Sequence, residues 1–571
     1  MTDVANGAAS DTGPAAHLLL KAPNIGAVIA SHAARVPDKV AVILELQGVP
    51  PQVLTYRALL SEAQRFAAGY RDARLSRGSI VIIMLGSHPS LAPAFFGAMI
   101  AGMVPSLFPP ATPKMNPAVF WEAQAAVFER VGASLIVTSA ADAAALARHV
   151  SDLSTPVLDI DEVPAASADT TVDRATRDEI ACLQHSSGTT GAKKGVILTH
   201  GMVMRSVASL ASALRVTDDD VVISWLPLYH DMGLINCLFV PILLGLTTVQ
   251  LNPFEWVASP PLLLDAIGRH RATLCWMPNF AFHHLMRTTP KHTRYDLSSL
   301  RLLIDAAEPC KPETLVKFAQ RFAEHGLRPL ALQVGYGMAE NVCIATQTDL
   351  DATPRTVTAS MAAYTMDGVI RPAAQDEATV DFLSCGKTIA GTRLRIVNED
   401  LTPLADCRVG QIAVSSDYLF SGYFRRDLKP GTIVDGWYMS GDLGFMLDGE
   451  LYVAGRSDDL LIVNGRNLYA HDLEFAINNA TTVKPGRCVA VGPFSERLGS
   501  QALVVIAETT DENEDNRKTL RSNIRELIYT IFGVVAYDVR VTSPGWLIKT
   551  TSGKISREAN LRLYLEEHPI A

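Results

Sequence analysis

Ten consecutive residues, Ser186-Ser187-Gly188-Thr189-Thr190-Gly191-Ala192-Lys193-Lys194-Gly195, hold three glycines, four hydroxyls and two lysines. This is the chemistry of a polyphosphate cradle: glycines let backbone N–H groups approach oxygens, hydroxyls donate to them, and lysine adds positive charge. The plainer alternative for this stretch on its own is a Gly/Ser surface hairpin. The phosphate loop written Gly-x-x-x-x-Gly-Lys-Ser/Thr cannot be aligned on it, and no helix pattern follows directly. Apolar Ile180-Ala181-Cys182-Leu183 precedes the loop and Val196-Ile197-Leu198 follows it, which predicts two short strands joined by the loop.

The chain of 571 residues is too long for one core, so two or more domains are expected. A net charge of −9 without a basic block argues against nucleic acid as a partner. Eight cysteines are scattered without a Cys-x-x-Cys pair, which favours reduced thiols in a cytoplasmic protein over disulfides or zinc. The N-terminus lacks a basic export signal. The uncharged stretches 78–113 and 235–252 are broken by prolines and Gly245, so buried α/β core is expected rather than membrane insertion.

Residues 1–23 are small and polar and are expected to form a loose leader. From Asn24 a helix pattern carries Ile25, Val28, Ile29 and Ala33, and Lys39 to Leu44 then reads as a buried strand. Thr55 is a suitable N-cap for the next helix. Ile80 to Leu85, Leu135 to Thr138, Val221 to Ser224 and Leu302 to Asp305 continue a βα alternation, the mark of α/β architecture with parallel sheets. Residues 349–380 show little periodicity and are expected to be an inserted loop, with the insertion proper at about 350–378. Short alternating strands at Leu394–Val397 and Gln411–Val414 predict a small β-barrel-like part that closes the large domain. The polar run Gly455-Arg456-Ser457-Asp458-Asp459 separates a large domain, 24–457, from a small mobile α+β domain, 458–571.

Six phrases accompany the glycine loop in a fixed order: Trp225-Leu226-Pro227-Leu228-Tyr229-His230-Asp231-Met232-Gly233-Leu234, Ala306-Ala307-Glu308-Pro309, Gly335-Tyr336-Gly337-Met338-Ala339-Glu340, Tyr438-Met439-Ser440-Gly441-Asp442-Leu443-Gly444, Gly455 to Asp459, and Thr551-Ser552-Gly553-Lys554-Ile555-Ser556-Arg557. Together they resemble the core motifs of the adenylate-forming superfamily, which contains acyl-CoA synthetases, firefly luciferase and the adenylation domains of peptide synthetases. The resemblance runs from about Ile25 to Arg557. Within the superfamily the chain is most similar to the fatty acyl-AMP ligases, through the Trp225 phrase, Ala307-Glu308-Pro309, Gly465-Arg466-Asn467-Leu468-Tyr469 and the insertion. In that family the insertion is associated with refusing CoA in favour of the phosphopantetheine thiol of a carrier protein.

The resemblance implies ATP-dependent formation of acyl-AMP, with ATP and Mg²⁺ required. It places Ser186, Ser187, Gly188, Thr189, Thr190, Gly191 and Lys194 on the phosphates, and Thr189 and Glu340 on Mg²⁺. Tyr336, Gly337 and Met338 with Ala307 and Glu308 flank the adenine, while Asp442 and Arg456 hold the ribose and phosphate region. Lys554 supplies a mobile positive charge, so Lys554, Glu340 and Thr189 are the catalytic candidates. His230, Leu234, Asn279, Phe280 and Asp305 are expected to wall the acyl pocket, and Asp458 aligns with the hinge. Alone, these residues have plainer readings: a turn aspartate for Asp442, a core tyrosine for Tyr336, a helix-start carboxylate for Glu340.

Three departures from the family pattern stand out. Lys193 replaces a proline in the glycine loop, Ala470 replaces a proline in the Gly465 phrase, and Asp305 stands where a neutral group is usual. No phosphopantetheine attachment phrase follows Arg557, so a separate holo-acyl carrier protein is the expected partner, with CoA as the alternative acceptor. The rival readings are an acyl-CoA synthetase or an amino- or aryl-acid adenylating enzyme. From another class, a catalytically silent scaffold relative is opposed by the presence of Thr189, Glu340, Asp442 and Lys554 together.

Overall fold

The computed structural model describes residues 14–111, 117–163, 172–185, 194–463, 465–484, 486–549 and 555–570. A nine-stranded sheet forms the centre of the large domain, in the order Lys387–Thr388, Ile344–Gln347, Leu332–Gly337, Leu302–Asp305, Leu274–Met277, Val221–Ser224, Thr247–Leu251, Val40–Glu45, Gln52–Thr55. The six strands from Leu332–Gly337 to Val40–Glu45 run parallel. Runs such as Leu302-Leu303-Ile304 are apolar throughout because helices cover both faces. A second parallel sheet takes Val104–Leu107, Ile80–Met84, Ala133–Thr138 and Val157–Asp159.

Ligands of open parallel sheets collect outside the carboxyl ends of the strands. Here those ends carry the Trp225–His230 phrase after Val221–Ser224, Asn279 and Phe280 after Leu274–Met277, and Ala306-Ala307-Glu308 after Leu302–Asp305. The strands Ile180–His185 and Gly195–Thr199 pair antiparallel with His185 opposite Gly195, as the flanking apolar runs predict. The loop residues Ser186, Ser187, Gly188, Thr189, Thr190 and Gly191, together with Lys193, lie outside the described residues, as does Lys554.

Local chemistry sets the element ends. Asn24 accepts from the Ala27 N–H at 2.9 Å and Thr55 from the Ala58 N–H at 3.2 Å, opening the helices Ile25–Arg35 and Tyr56–Asp72. Of the stretch 78–113, residues 78–111 form a strand, the helix Leu91–Ile100 and a strand, and among the described residues no helix is long and apolar enough to cross a membrane.

Three expectations need correction. The leader is not loose from Pro14 on: a helix, Pro14–Lys21, buries Leu19 and is tied down by Arg177, whose guanidinium donates to the carbonyls of Leu19 and Ala22 at 2.9 and 2.8 Å. A helix of eight residues does not hold alone; docking on the helix His200–Ala213 supplies its stability. The insertion is not an irregular loop either. It is a hairpin, Thr356–Ser360 with Thr379–Leu383, around the helix Met361–Asp367, which Ser360 caps at one end and left-handed Gly368 at the other. The β part of the large domain is a five-stranded antiparallel sheet, open at Thr392–Val397 rather than closed as a barrel.

From Leu461 onward the apolar residues build a core of their own, around Leu473, Ile477, Val505, Ile524 and Ile528. His471 sits at its margin beside Asp472, with Nε2 3.3 Å from the carboxylate, and burial pushes its pKa down to about 4. An unfolded histidine takes its proton near pH 6.5, whereas folded His471 resists until about pH 4. Stability is therefore fully present above pH 6.5 and is lost as pH falls toward 4, by an amount on the order of 3 kcal/mol. Thermal unfolding at pH 7, 5 and 4 should show that His471→Gln flattens this slope. His200, also lowered to about 4 by burial, titrates in both proteins and cancels in the comparison.

Candidate active site

The residues expected to hold the nucleotide come from three elements. Tyr336, on the strand Leu332–Gly337, donates its hydroxyl to Asp442 Oδ2 at 2.7 Å, and Arg456 Nε stands 3.5 Å from Asp442 Oδ1. Asp442 and Arg456 oppose each other across the strands Trp437–Leu447 and Glu450–Arg456. Burial raises the pKa of Asp442, and the guanidinium of Arg456 and the Tyr336 hydroxyl pull against it. The result is a carboxylate held in place with oxygen capacity left for a diol.

Ala307, expected in the wall that faces Tyr336, follows the strand Leu302–Asp305 at its carboxyl end. Its backbone takes a left-handed φ of 69°, rare for a residue with a Cβ, and Val342, two residues past Glu340, has φ 63°. Such backbone costs about 1–3 kcal/mol and clusters at sites where the surrounding structure enforces it. Glu308 accepts from the Phe280 N–H at 3.1 Å, so the wall is tied to the helix Asn279–Thr288. Gly337 is required by a close approach: a Cβ there would lie 1.7 Å from the Cys343 carbonyl oxygen.

Glu340, the expected metal ligand, sits in a short 3₁₀ turn, Ala339–Asn341, just past the strand Leu332–Gly337. Tyr423 donates to Glu340 Oε1 at 2.6 Å, Tyr438 faces the same carboxylate, and Lys194 Nζ sits 4.8 Å from the centre of the Tyr423 ring. Burial lowers the pKa of Lys194; Glu340 opposes that, while Arg426, Lys429 and Arg456 reinforce it. One carboxylate within a field of four cations fits a polyphosphate with a hard divalent ion beside it. Tyr423, Tyr438, Arg426 and Lys429 were not foreseen as site residues. The signal was the aromatic run Tyr418, Phe420 and Tyr423 around Gly422.

On the acyl side, His230 Nδ1 contacts Asp231 Oδ1 at 2.6 Å, and Asp231 caps the π-helix Met232–Phe239 that carries buried Leu234. Asn279 is buried with Oδ1 unpartnered, and Phe280 packs edge-on against the stacked pair Trp225 and Trp256. Asp305 is fully buried beside Cys310, and burial with Glu308 nearby raises its pKa well above the carboxylate range. It lies directly before the Ala306-Ala307 turn. A cavity of about 390 Å³ borders the Trp225 phrase, lined by Leu226, Leu228, Tyr229, Leu91, Phe108 and Leu251 among others. His230, Leu234, Asn279, Phe280 and Asp305 are not among its walls.

Contacts change partners at the expected hinge. Arg456 belongs to the Asp442 pair, whereas Asp459 is bound by Arg557 of the small domain at 2.9 Å, and Arg557 also holds Glu474 at 2.7 Å. Asp458 lies exposed between the two. The small domain is held against the large one by Lys311 and Asp472, 2.5 Å apart. Lys549 faces Glu308, its pKa lowered to about 8 by burial and then by Arg487, and it pairs with Ile555 across the segment that contains Lys554.

A tyrosine bonded to a carboxylate that has its own arginine, with a second carboxylate among cations, fits an ATP-using adenylate-forming ligase. The chain belongs to the family of AMP-binding enzymes, whose model matches residues 29–424. It is 30% identical to the medium-chain-fatty-acid–[acyl-carrier-protein] ligase JamA of Moorena producens, over 90% of each chain. It is 29% identical to the long-chain-fatty-acid–AMP ligase FadD32 of Mycolicibacterium smegmatis, over 91% of this chain and 90% of that one. A solved structure from work on fatty acyl-adenylate ligases of E. coli and L. pneumophila superposes with a TM-score of 0.88 at 25% identity, covering 96% of this chain and 99% of the other.

Proposed function

We propose that the chain activates an apolar carboxylic acid with ATP to acyl-AMP and then passes the acyl group to the phosphopantetheine thiol of a holo-acyl carrier protein. The observation that carries this reading is the Tyr336–Asp442–Arg456 group facing the Glu340 cation field. The relatives named as fatty-acid–AMP and acyl-carrier-protein ligases support the substrate and the acceptor.

In the first step a carboxylate oxygen bonds to the α-phosphorus and pyrophosphate leaves. The acid is already an anion, so no general base is needed; the task is to hold two anions in line and offset their charge. Lys194 and the loop residues Ser186 to Gly191 hold the phosphates, and Lys554 meets the charge that develops at the α-phosphate. Glu340 and Thr189 would hold Mg²⁺, which supplies charge neutralisation between the phosphates. Tyr336 with Gly337 and Met338 covers one adenine face and Ala307-Glu308 the other, and Asp442 takes the ribose diol. His230, Leu234, Asn279 and Phe280 surround the path of the acyl group, with buried Asp305 behind it.

In the second step the thiol sulfur bonds to the acyl carbon and AMP leaves with the oxygen that came from the acid. The small domain must turn at Asp458 to admit the thiol, breaking the Lys311–Asp472 contact. Tyr364 of the insertion stacks on Tyr469 at 5.3 Å and 8°, and Met361 packs on the small domain's core, so the insertion restrains that turn. This restraint supports selection of a carrier-borne arm over free CoA. The free thiols of all eight cysteines support a reducing, cytoplasmic setting.

Thioester formation with holo-carrier protein and with CoA, measured in parallel on the same acid, tests the acceptor. The carrier should react more than about tenfold faster in kcat/KM. Equal or faster reaction with CoA would make the enzyme an acyl-CoA synthetase.

A further inference from the structure

The small domain has its own core and joins the large one through the polar run Ser457-Asp458-Asp459, so contacts away from that run set its orientation. The loop 306–311, which carries Ala307 and Glu308, supplies two of them. Lys311 Nζ stands 2.5 Å from Asp472 Oδ1 and 5.4 Å from the centre of the Phe475 ring. Asp472 and Phe475 are three residues apart on the helix Ala470–Ala480 and share a face, so one ammonium holds that face. The two side chains of the ion pair are 15% and 13% exposed, so salt screens the pair little. Burial opposes the charge of Asp472, yet Lys311 and His471 hold its pKa below the usual carboxylate value. Three residues before Lys311, Glu308 lies near enough for the charge of Lys549 to feel it.

The gripped helix is bonded in turn to the segment of Lys554. Glu474, on the same helix, is held by Arg557 at 2.7 Å, and Arg557 also binds Asp459 beside the hinge at 2.9 Å. Arg557 lies three residues past Lys554, while Lys549, five residues before it, pairs with Ile555. Moving the helix therefore moves both ends of that segment. Lys311 itself is engaged by Asp472 and Phe475 and is not among the cations that act on Lys194.

We infer that Lys311 is a positioning residue for the first half-reaction: through Asp472 it latches the small domain in the orientation that delivers Lys554, and its release opens the way to acyl transfer. This rests on the acid-adenylating reading above. The opposite assignment, a latch on the orientation for thiol attack, is disfavoured because Lys549, on the Lys554 segment, meets the loop that carries Ala307 and Glu308.

Lys311→Met, which keeps the length of the side chain and removes its charge, tests this. Acid-dependent pyrophosphate exchange should fall about thirtyfold in kcat, since a small misplacement of a catalytic group has effects of that order. KM for ATP should stay within about twofold, because no nucleotide contact is lost. Single-turnover transfer from preformed acyl-AMP to holo-carrier protein should be unchanged or faster, and Lys311→Arg should restore exchange. In a Lys554→Ala background, Lys311→Met should cost nothing further, since both act through one group. Asp472→Asn should repeat the pattern if Lys311→Met lowers Tm sharply. Equal loss in both half-reactions, loss confined to transfer, a change in KM for ATP alone, or full additivity with Lys554→Ala would overturn the inference and leave the proposed function standing. A parent protein that exchanges with no acid at all would overturn both.

Discussion

Replacing Lys554 with alanine drops acid-dependent pyrophosphate exchange about a thousandfold, while acyl transfer from preformed acyl-AMP stays within a few fold of the parent. The asymmetry follows from what the cation does. In the first step two anions are brought together, and a positive group at the α-phosphate stabilises a charge that grows in the transition state. In the second step the mixed anhydride already has a good leaving group, so the same lysine has little to offset. Lys549, whose charge feels Glu308, pairs with Ile555, so described residues on both sides of the Lys554 segment lie next to each other. Single-turnover assays of each half-reaction, with Tm as a check of folding, separate the cases. Equal loss of both steps would show that Lys554 serves the fold or the shared binding of nucleotide.

Glu340→Gln should reduce pyrophosphate exchange by about a hundredfold to a thousandfold, a loss of roughly 3–4 kcal/mol of transition-state stabilisation. The substitution keeps the shape and the bond from Tyr423 while removing the charge that faces Lys194, Arg426 and Lys429. If the carboxylate holds a divalent ion, raising Mg²⁺ should recover part of the loss, because weaker ligation is overcome by mass action. Titration of exchange against Mg²⁺ in parent and variant reads this directly. An unchanged Mg²⁺ dependence would reduce Glu340 to a partner of Tyr423.

Much of the frame is legible in the sequence, for local reasons. Ile80 to Met84, Val221 to Ser224 and Leu302 to Asp305 are strands because β-branched and apolar runs of that length fit a sheet covered on both faces. Asn24 and Thr55 announce their helices through side chains that accept from the first turn. The insertion was hidden because its strands and helix are five to seven residues long and gain their burial from distant partners, as Tyr364 does from Tyr469. The helix Pro14–Lys21 was hidden for the same reason, since Arg177 holds it from far along the chain.

The site divides in the same way. Short ordered phrases name Tyr336, Glu340, Asp442 and Arg456, and the fold brings Tyr336, Asp442 and Arg456 into one bonded group. Asp305 carried a different message from its type: it is fully buried beside Cys310, and burial raises its pKa. Arg426 and Lys429 leave no local trace, because only the fold brings them near Lys194 and Glu340. The π-helix is equally silent, since its wider turn breaks the 3.6-residue period by which helices are read.

The central claim is that the acid's own oxygen bonds to the α-phosphorus of ATP. The most direct measurement uses an acid labelled with ¹⁸O in its carboxylate, turned over to completion with ATP and holo-carrier protein, followed by mass analysis of the AMP. One labelled oxygen in each AMP, with the other left in the thioester, is the predicted result. AMP without label, or label in released phosphate, would mean that no acyl adenylate forms and would contradict the account.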